Sequence, residues 1–369
     1  MHSNSTQSLF ATEAHNPAFF AVRKAMPTKQ DPIDFCVPVN RHFPPASLLE
    51  DIREALPDIV KYYPDYAEVH QQALSILTRI PASQIIVANG STELITLICQ
   101  RAEGPMATCT PTFGQWTDLP QMQGVPIHFI QRQAGNDHVL SVADIVAFVR
   151  KYHIRTLVLS NPNNPTGAVM ASQHVQQLLE QLADLSAIIL DESFIDYSDV
   201  VSAANLVEVA RNLIVVKSLG KSLGWHGLRL GYAVTHEQRA IELRKQLPCW
   251  NINGLAAFVL QRVADMRSEL NASFEKTRRD RQAFVESLAT IDRLRVFPSQ
   301  TNFVFAELDP GVSGRALRDA LLEQHGCFIR ECSNKRGSSQ RYLRLAVNLP
   351  AENEILVNAL QMLLAKWPT

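Results

Sequence analysis

Residues 218–232 read SLGKSLGWHGLRLGY, and the Gly-Lys-Ser at 220–222 suits either the end of a nucleotide-binding loop or the setting of a reactive lysine. A nucleotide loop of this kind needs glycine five positions before the Gly-Lys pair, where backbone without side chains wraps the phosphates. Val215 holds that position. Upstream, LIVVKSL is an apolar run that enters the motif directly, with no glycine-rich turn to present several amides to an anion. The nucleotide loop is set aside, and Lys221 is read by what converges on it.

Working outward, the short apolar runs at 85–88, 156–159, 187–190 and 213–216 alternate with amphipathic stretches, one opening at Ser91 and one near 174–185. Val-, Ile- and Leu-rich strands that alternate with helices predict βαβ units and a mainly parallel sheet covered on both faces. Helical apolar spacing over 48–62 stops before Tyr63-Pro64-Asp65, and a second helix is expected from about Ala67. A charged helix over about 264–291, containing FEKTRRDRQAF, reads as a solvated bridge between two domains rather than a nucleic-acid arm. Beyond it RVFPSQTNFVFAEL, CFIRE and YLRLAV look like strands around one helix, a small α+β unit.

The 369 residues are 46% hydrophobic and 19% charged, which suits a globular chain with a large core and a second domain. A formal net charge of −1, with Lys and Arg dispersed, favours a small-molecule substrate over nucleic acid or a membrane surface. The six cysteines show neither metal-ligand spacing nor disulfide density. No metal is expected. The start of the chain is expected to be loose and has no signal-peptide pattern, and no run of eighteen apolar residues follows, so a cytoplasmic location is expected.

In an open α/β sheet, side chains at the carboxyl ends of parallel strands meet in one crevice. Asn164, after TLVLS, Asp191, after AIIL, and Lys221 then share a site, with Ser218 and Arg229 flanking the lysine. This set matches the needs of pyridoxal 5′-phosphate: a lysine for a Schiff base with the aldehyde, a carboxylate for the pyridinium nitrogen, and serine and arginine for the phosphate.

With these four ordered motifs the chain resembles the fold-type I pyridoxal-phosphate enzymes of the class I/II aminotransferase family. It is most similar to the branch of histidinol-phosphate aminotransferases and threonine-phosphate decarboxylases, from about Asp34 to the C-terminus. The resemblance implies an α/β fold with a large domain, built on a mainly parallel seven-stranded sheet between helices, and a smaller α+β domain. Its boundaries are expected as an N-terminal arm and part of the small domain over 1–60, a large cofactor-binding domain over 61–265, and a C-terminal small domain over 266–369. It makes Lys221 the Schiff-base lysine, Asp191 the partner of the ring nitrogen and Asn164 the donor to the ring hydroxyl. Gly90, Ser91 and Thr92, in ANGSTEL, resemble a phosphate-binding helix start, where free amides and the helix dipole favour an anion. Ser218 and Arg229 complete that cup. Phe113 matches the aromatic residue that stacks on the ring, and Tyr63 a tyrosine that reaches the phosphate of a neighbouring subunit, which implies a homodimer. Arg344 matches the clamp on the substrate α-carboxylate, Arg330 an arginine near the distal end of the substrate, and Asn302 a position near the substrate.

The implied activity is that of an aminotransferase acting on an α-amino acid, with a decarboxylase, or a cyclising or dehydrating enzyme, as the alternative. Phe194 stands where most aminotransferases of this branch have tyrosine, and DESFIDY and IRECSN resemble the decarboxylases. Two atypical segments, Arg41-His42-Phe43-Pro44-Pro45 and Lys335-Arg336-Gly337-Ser338-Ser339, are expected to line the substrate end of the pocket. Trp225 and His226 are read as structural, because Lys221 is itself placed to move a proton.

Overall fold

A computed structural model of the chain describes residues 9–10, 17–26 and 31–368; much of the N-terminal start, for which looseness was expected, lies outside the described residues. Its central sheet has seven strands in the order β2-β8-β7-β6-β5-β3-β4: β2 Ile85–Ala88, β3 Met106–Thr110, β4 Ile127–Gln131, β5 Thr156–Ser160, β6 Ala187–Asp191, β7 Leu213–Ser218 and β8 Gly231–Thr235. The pairings from β4 through β3, β5 and β6 to β7 are parallel, while β8 runs antiparallel to both β7 and β2.

The strands form where apolar residues recur on both faces. In β6, Ile188 and Leu190 enter one core with Leu157, Leu159, Leu213 and Val215, while Ala187 and Ile189 enter the other with Val158, Ile214 and Val216. A strand buried on both faces is nearly continuous in apolar residues, which made β2, β5, β6 and β7 legible. The strands β3 (MATCT) and β4 (IHFIQ) carry no such run and are found only by their pairing. Each expected element appears with its ends moved by a few residues: the helix expected near 174–185 is Ser172–Gln181, and the long charged helix is Arg267–Leu288.

The smaller unit is an antiparallel sheet in the order β12-β13-β10-β9, made of β9 Leu294–Val296, β10 Phe303–Leu308, β12 Arg330–Glu331 and β13 Tyr342–Ala346. It has its own core, with Leu317, Leu321, Leu343, Leu345, Leu356 and Leu360. A short parallel pair joins β1 (Ile33–Asp34) to β11 (Cys327–Phe328), which ties the segment after residue 33 to this unit. Residues 36–43 then run back along the lysine turn of the large sheet: Asn40 N donates to Lys221 O at 3.0 Å and Asn40 Nδ2 to Ser222 O at 2.9 Å.

Candidate active site

The carboxyl ends of β2, β3, β5, β6 and β7 and the entry to β8 lie along one rim, because β8 alone is reversed. A cavity of about 190 Å³ opens there, lined by Ser91, Phe113, Asn164, Asp191, Ser218 and Lys221 from the large sheet. Arg330, Lys335 and Arg344 line it from the small sheet, and Cys36, Val37 and Pro38 from the connecting segment.

Asp191 ends β6, and its carboxylate is buried and held on both oxygens. Trp116 Nε1 donates to Oδ2 at 2.8 Å, while Ser193 donates to Oδ1 through Oγ at 2.6 Å and N at 3.1 Å. Burial raises its pKa, against these bonds and the Lys221 charge. A cationic donor in the cavity would therefore relieve a desolvated carboxylate. Lys221 lies in the short helix Leu219–Ser222 that follows β7, and its carbonyl accepts from Tyr197 Oη at 2.8 Å. Burial, then the charges of Arg344 and Arg229, bring its ammonium down to about 7, so much of the amine is neutral near neutral pH. Its Nζ sits 3.3 Å from His226 Nε2 and 5.8 Å from the centroid of the Phe194 ring.

Gly90 precedes the helix Ser91–Gln100 with φ +80°, and a Cβ there would fall 2.5 Å from Arg229 Nη2. Only glycine lets the guanidinium lie across this helix start, where free amides and arginine face the same space. Arg229 itself has φ +52°. Gly231 is equally confined, since its Cβ would lie 2.5 Å from Ser91 N. A cavity with a lysine amine, a buried carboxylate, an aromatic wall and an amide-plus-arginine cup has the donor set that pyridoxal phosphate requires.

Arg344 reaches across from β13, donating from Nη1 to Asn164 Oδ1 at 2.7 Å and from Nη2 to Cys36 O at 2.6 Å. Because arginine only donates, this contact fixes Oδ1 as the Asn164 acceptor and leaves Nδ2 as its donor side. Arg330 is the cross-strand partner of Arg344, and its Nη2 donates to Asn334 Oδ1 at 2.6 Å. The carboxylate of Glu331 accepts instead from Ser333 N and Oγ.

Five expected site residues are outside the cavity lining: Gly90 and Arg229, which pack on each other at the helix start, and Thr92, Asn302 and Tyr63. Thr92 lies one position inside the helix that Ser91 opens. Asn302 is fully buried beside β10, outside the lining, and neither amide atom has a partner among the described residues. Tyr63 is 80% exposed and stacks on Trp250 with ring centroids 4.7 Å apart.

The expectation for the two atypical segments needs correction. Arg41 turns away to Glu352 at 2.6 Å and His42 to Asp280 at 2.5 Å, because those half-buried carboxylates offer them charged partners away from the cavity. Arg336 lies over the Phe129 ring, and of its segment only Lys335 enters the cavity. Sequence reasoning missed Trp116, although the indole lies three residues after Phe113 in PTFGQW, and no local signal connects it to a carboxylate 75 positions on.

The family described as aminotransferase class I and II matches residues 30–360. An L-serine phosphate decarboxylase of Sulfurospirillum multivorans is 28% identical, over 95% of this chain and 93% of the relative. The solved structure of a decarboxylase from that organism superposes with a TM-score of 0.89 at 26% identity, covering 100% of this chain and 99% of the other. A histidinol-phosphate aminotransferase from Sinorhizobium meliloti, solved in complex with pyridoxal-5′-phosphate, superposes with a TM-score of 0.82 at 23% identity, covering 98% and 96%. The chain spans about half the length of two further curated relatives, 54% and 52% of them, to which it is 34% and 33% identical.

Proposed function

This chain belongs to the aminotransferase class I and II family, whose cofactor is pyridoxal 5′-phosphate, and from that premise we propose that it decarboxylates an α-amino acid carrying a second, phosphate-like anionic group. The observation that carries the reading is the charge of the cavity: Arg330, Lys335 and Arg344 line its small-domain side, and Asp191 is the single carboxylate of the lining. One α-carboxylate leaves most of that positive charge uncompensated, whereas a dianion beside it balances the wall.

Bound at Lys221, the cofactor supplies an electron sink for the pair left on the substrate α-carbon. The protein's part is placement and proton movement. Asp191, kept in place by Trp116 and Ser193, would accept from the protonated ring nitrogen, and Asn164 Nδ2, left free to donate by the Arg344 contact, would donate to the ring hydroxyl. Gly90, Ser91, Thr92, Ser218 and Arg229 would hold the cofactor phosphate, and Phe113 would stack on the ring. Lys221, once its amine is free, returns a proton to the α-carbon.

Transamination was expected first from sequence; decarboxylation is placed ahead of it here because the relatives named for it match nearly end to end. Transamination remains the second reading, since a neutral Lys221 amine serves either proton transfer and histidinol-phosphate aminotransferases are also relatives. The test is incubation of the holoenzyme with serine phosphate, threonine phosphate, histidinol phosphate and unphosphorylated serine, scoring carbon dioxide and carbonyl products separately. Carbon dioxide from a phosphorylated amino acid, and none from serine, is the expected result. Carbonyl products alone establish transamination, and equal turnover of serine overturns the dianion reading.

The site is also proposed to be completed by a second copy of the chain through Tyr63. The division at residues 60 and 265 is kept with it, as is action in the cytoplasm. The six cysteines, five of them buried and none in a disulfide among the described residues, suit a reducing compartment.

A further inference from the structure

Among the residues of SLGKSLGWHGLRLGY that the proposed function does not use is His226. Its ring is hydrogen-bonded to the backbone of Pro38. Proline has no N–H, so the carbonyl accepts and one imidazole nitrogen must donate. The other, Nε2, lies 3.3 Å from Lys221 Nζ. The ring stays uncharged: burial, followed by the charge of Lys221, brings its pKa down to about 2, and Arg229 and Arg344 push the same way against the Pro38 bond. A neutral imidazole that donates from Nδ1 presents a lone pair at Nε2. Space for it comes from Gly220, where a Cβ would sit 3.3 Å from His226 Cα and 3.4 Å from Nδ1.

We propose that His226 is a positioning residue for Lys221: its Nε2 lone pair accepts from the lysine Nζ and aims the amine into the cavity, while the Pro38 carbonyl holds the ring. Lysine has a flexible four-carbon stem and three rotatable donors, so without a fixed acceptor its amine samples many directions. The anchor also connects to the substrate side. Pro38 lines the cavity, and two residues earlier the Cys36 carbonyl accepts from Arg344 Nη2 at 2.6 Å. One short segment therefore sets the reactive amine, through His226, in register with the arginine expected to hold the substrate.

The inference rests on Lys221 as the cofactor-bearing lysine, and its test separates the two. Purified cofactor-free chain is mixed with pyridoxal phosphate, without substrate, and the rate of appearance of the lysine-bound visible band is followed against pH. The groups facing the amine are His226, Asp191, Cys36, Arg229 and Arg344, and all but His226 are kept. His226→Met and His226→Gln fill similar volumes, but only the amide offers an oxygen acceptor. Misdirected attack slows the methionine variant on the order of 100-fold. Its pH midpoint also moves down, because a hydrogen bond that favours the ammonium form is gone. The glutamine variant recovers most of the rate and the midpoint. Equal behaviour of the two variants, both like the parent or both impaired alike, overturns the proposal. A visible band that still forms in Lys221→Ala, is bleached by borohydride and leaves the cofactor fixed to the protein overturns the lysine assignment itself, whatever His226 does.

Discussion

On the proposed reading, Lys335 is the residue expected to govern substrate choice, since it lines the cavity beside Arg330 and Arg344. Its Nζ is 5.6 Å from the centroid of Phe113, and a Cβ on Gly114 would lie 3.4 Å from it, so a small residue there gives the ammonium access to the cavity. Burial first, then Arg330 and Arg344, bring its pKa down to about 7. A hydrogen bond to a charged group contributes about 1.5–3 kcal/mol, and about 1.4 kcal/mol is tenfold in affinity. Lys335→Met is therefore expected to weaken binding of a phosphorylated amino acid by roughly 10- to 100-fold, with serine unaffected, as measured by titration of the holoenzyme. The pH dependence has a definite sign. The substrate phosphate becomes a dianion above about pH 6, so affinity first rises with pH. It then falls as Lys335 loses its proton past about 7, and this falling limb disappears in the methionine variant.

At the scale of elements, the junction between the lysine turn and the segment after β1 depends on Gly224. Its φ is +73°, and an added Cβ would lie 2.1 Å from Phe43 O and 2.5 Å from Asn40 O. Both are backbone atoms, which no side-chain rotation can move aside. Gly224→Ala is expected to cost about 1–2 kcal/mol for the left-handed conformation alone, with the clash added. A lowered urea midpoint measures that loss. The same variant displaces the turn that carries Lys221, so attachment of the cofactor falls with stability. A surface glycine such as Gly124, with φ +72° and nothing within 4 Å of its Cβ, is the control for conformation without clash. Sequence alone marks both as glycines near turns and does not separate them, because the contact at Gly224 comes from residues about 180 positions away.

For the whole molecule, one exposed face points to assembly. Leu49, Leu56 and Val60 recur at helical spacing along Ala46–Lys61 and are 42%, 46% and 75% exposed, and Tyr62, Tyr63, Tyr66 and Trp250 extend this apolar surface. An apolar stripe left open on a single chain marks an interaction surface. If Tyr63 serves the site of a second copy, Tyr63→Ala and Lys221→Ala chains, each weakly active, regain activity when refolded together. The mixed dimer then holds one site with both native residues. Failure of the mixture to exceed its components, with dimers present by size-exclusion chromatography, rules out a shared site.

What the sequence by itself determined is local in origin. Strand positions followed from apolar runs, and the placing of Asn164, Asp191 and Lys221 at strand ends followed from parallel-sheet geometry. Tertiary structure decided what meets across long separations. The Trp116 indole on Asp191, Arg344 on Asn164 across 180 positions, and Lys335 in the cavity while Arg41 and His42 turn outward depend on how two cores dock. Periodicity records which face of an element is buried, and it carries no information about which distant side chain that face will meet. His226 lies on that line. The sequence set it five residues after the lysine, and the fold turned its lone pair toward the amine by giving the other nitrogen a proline carbonyl.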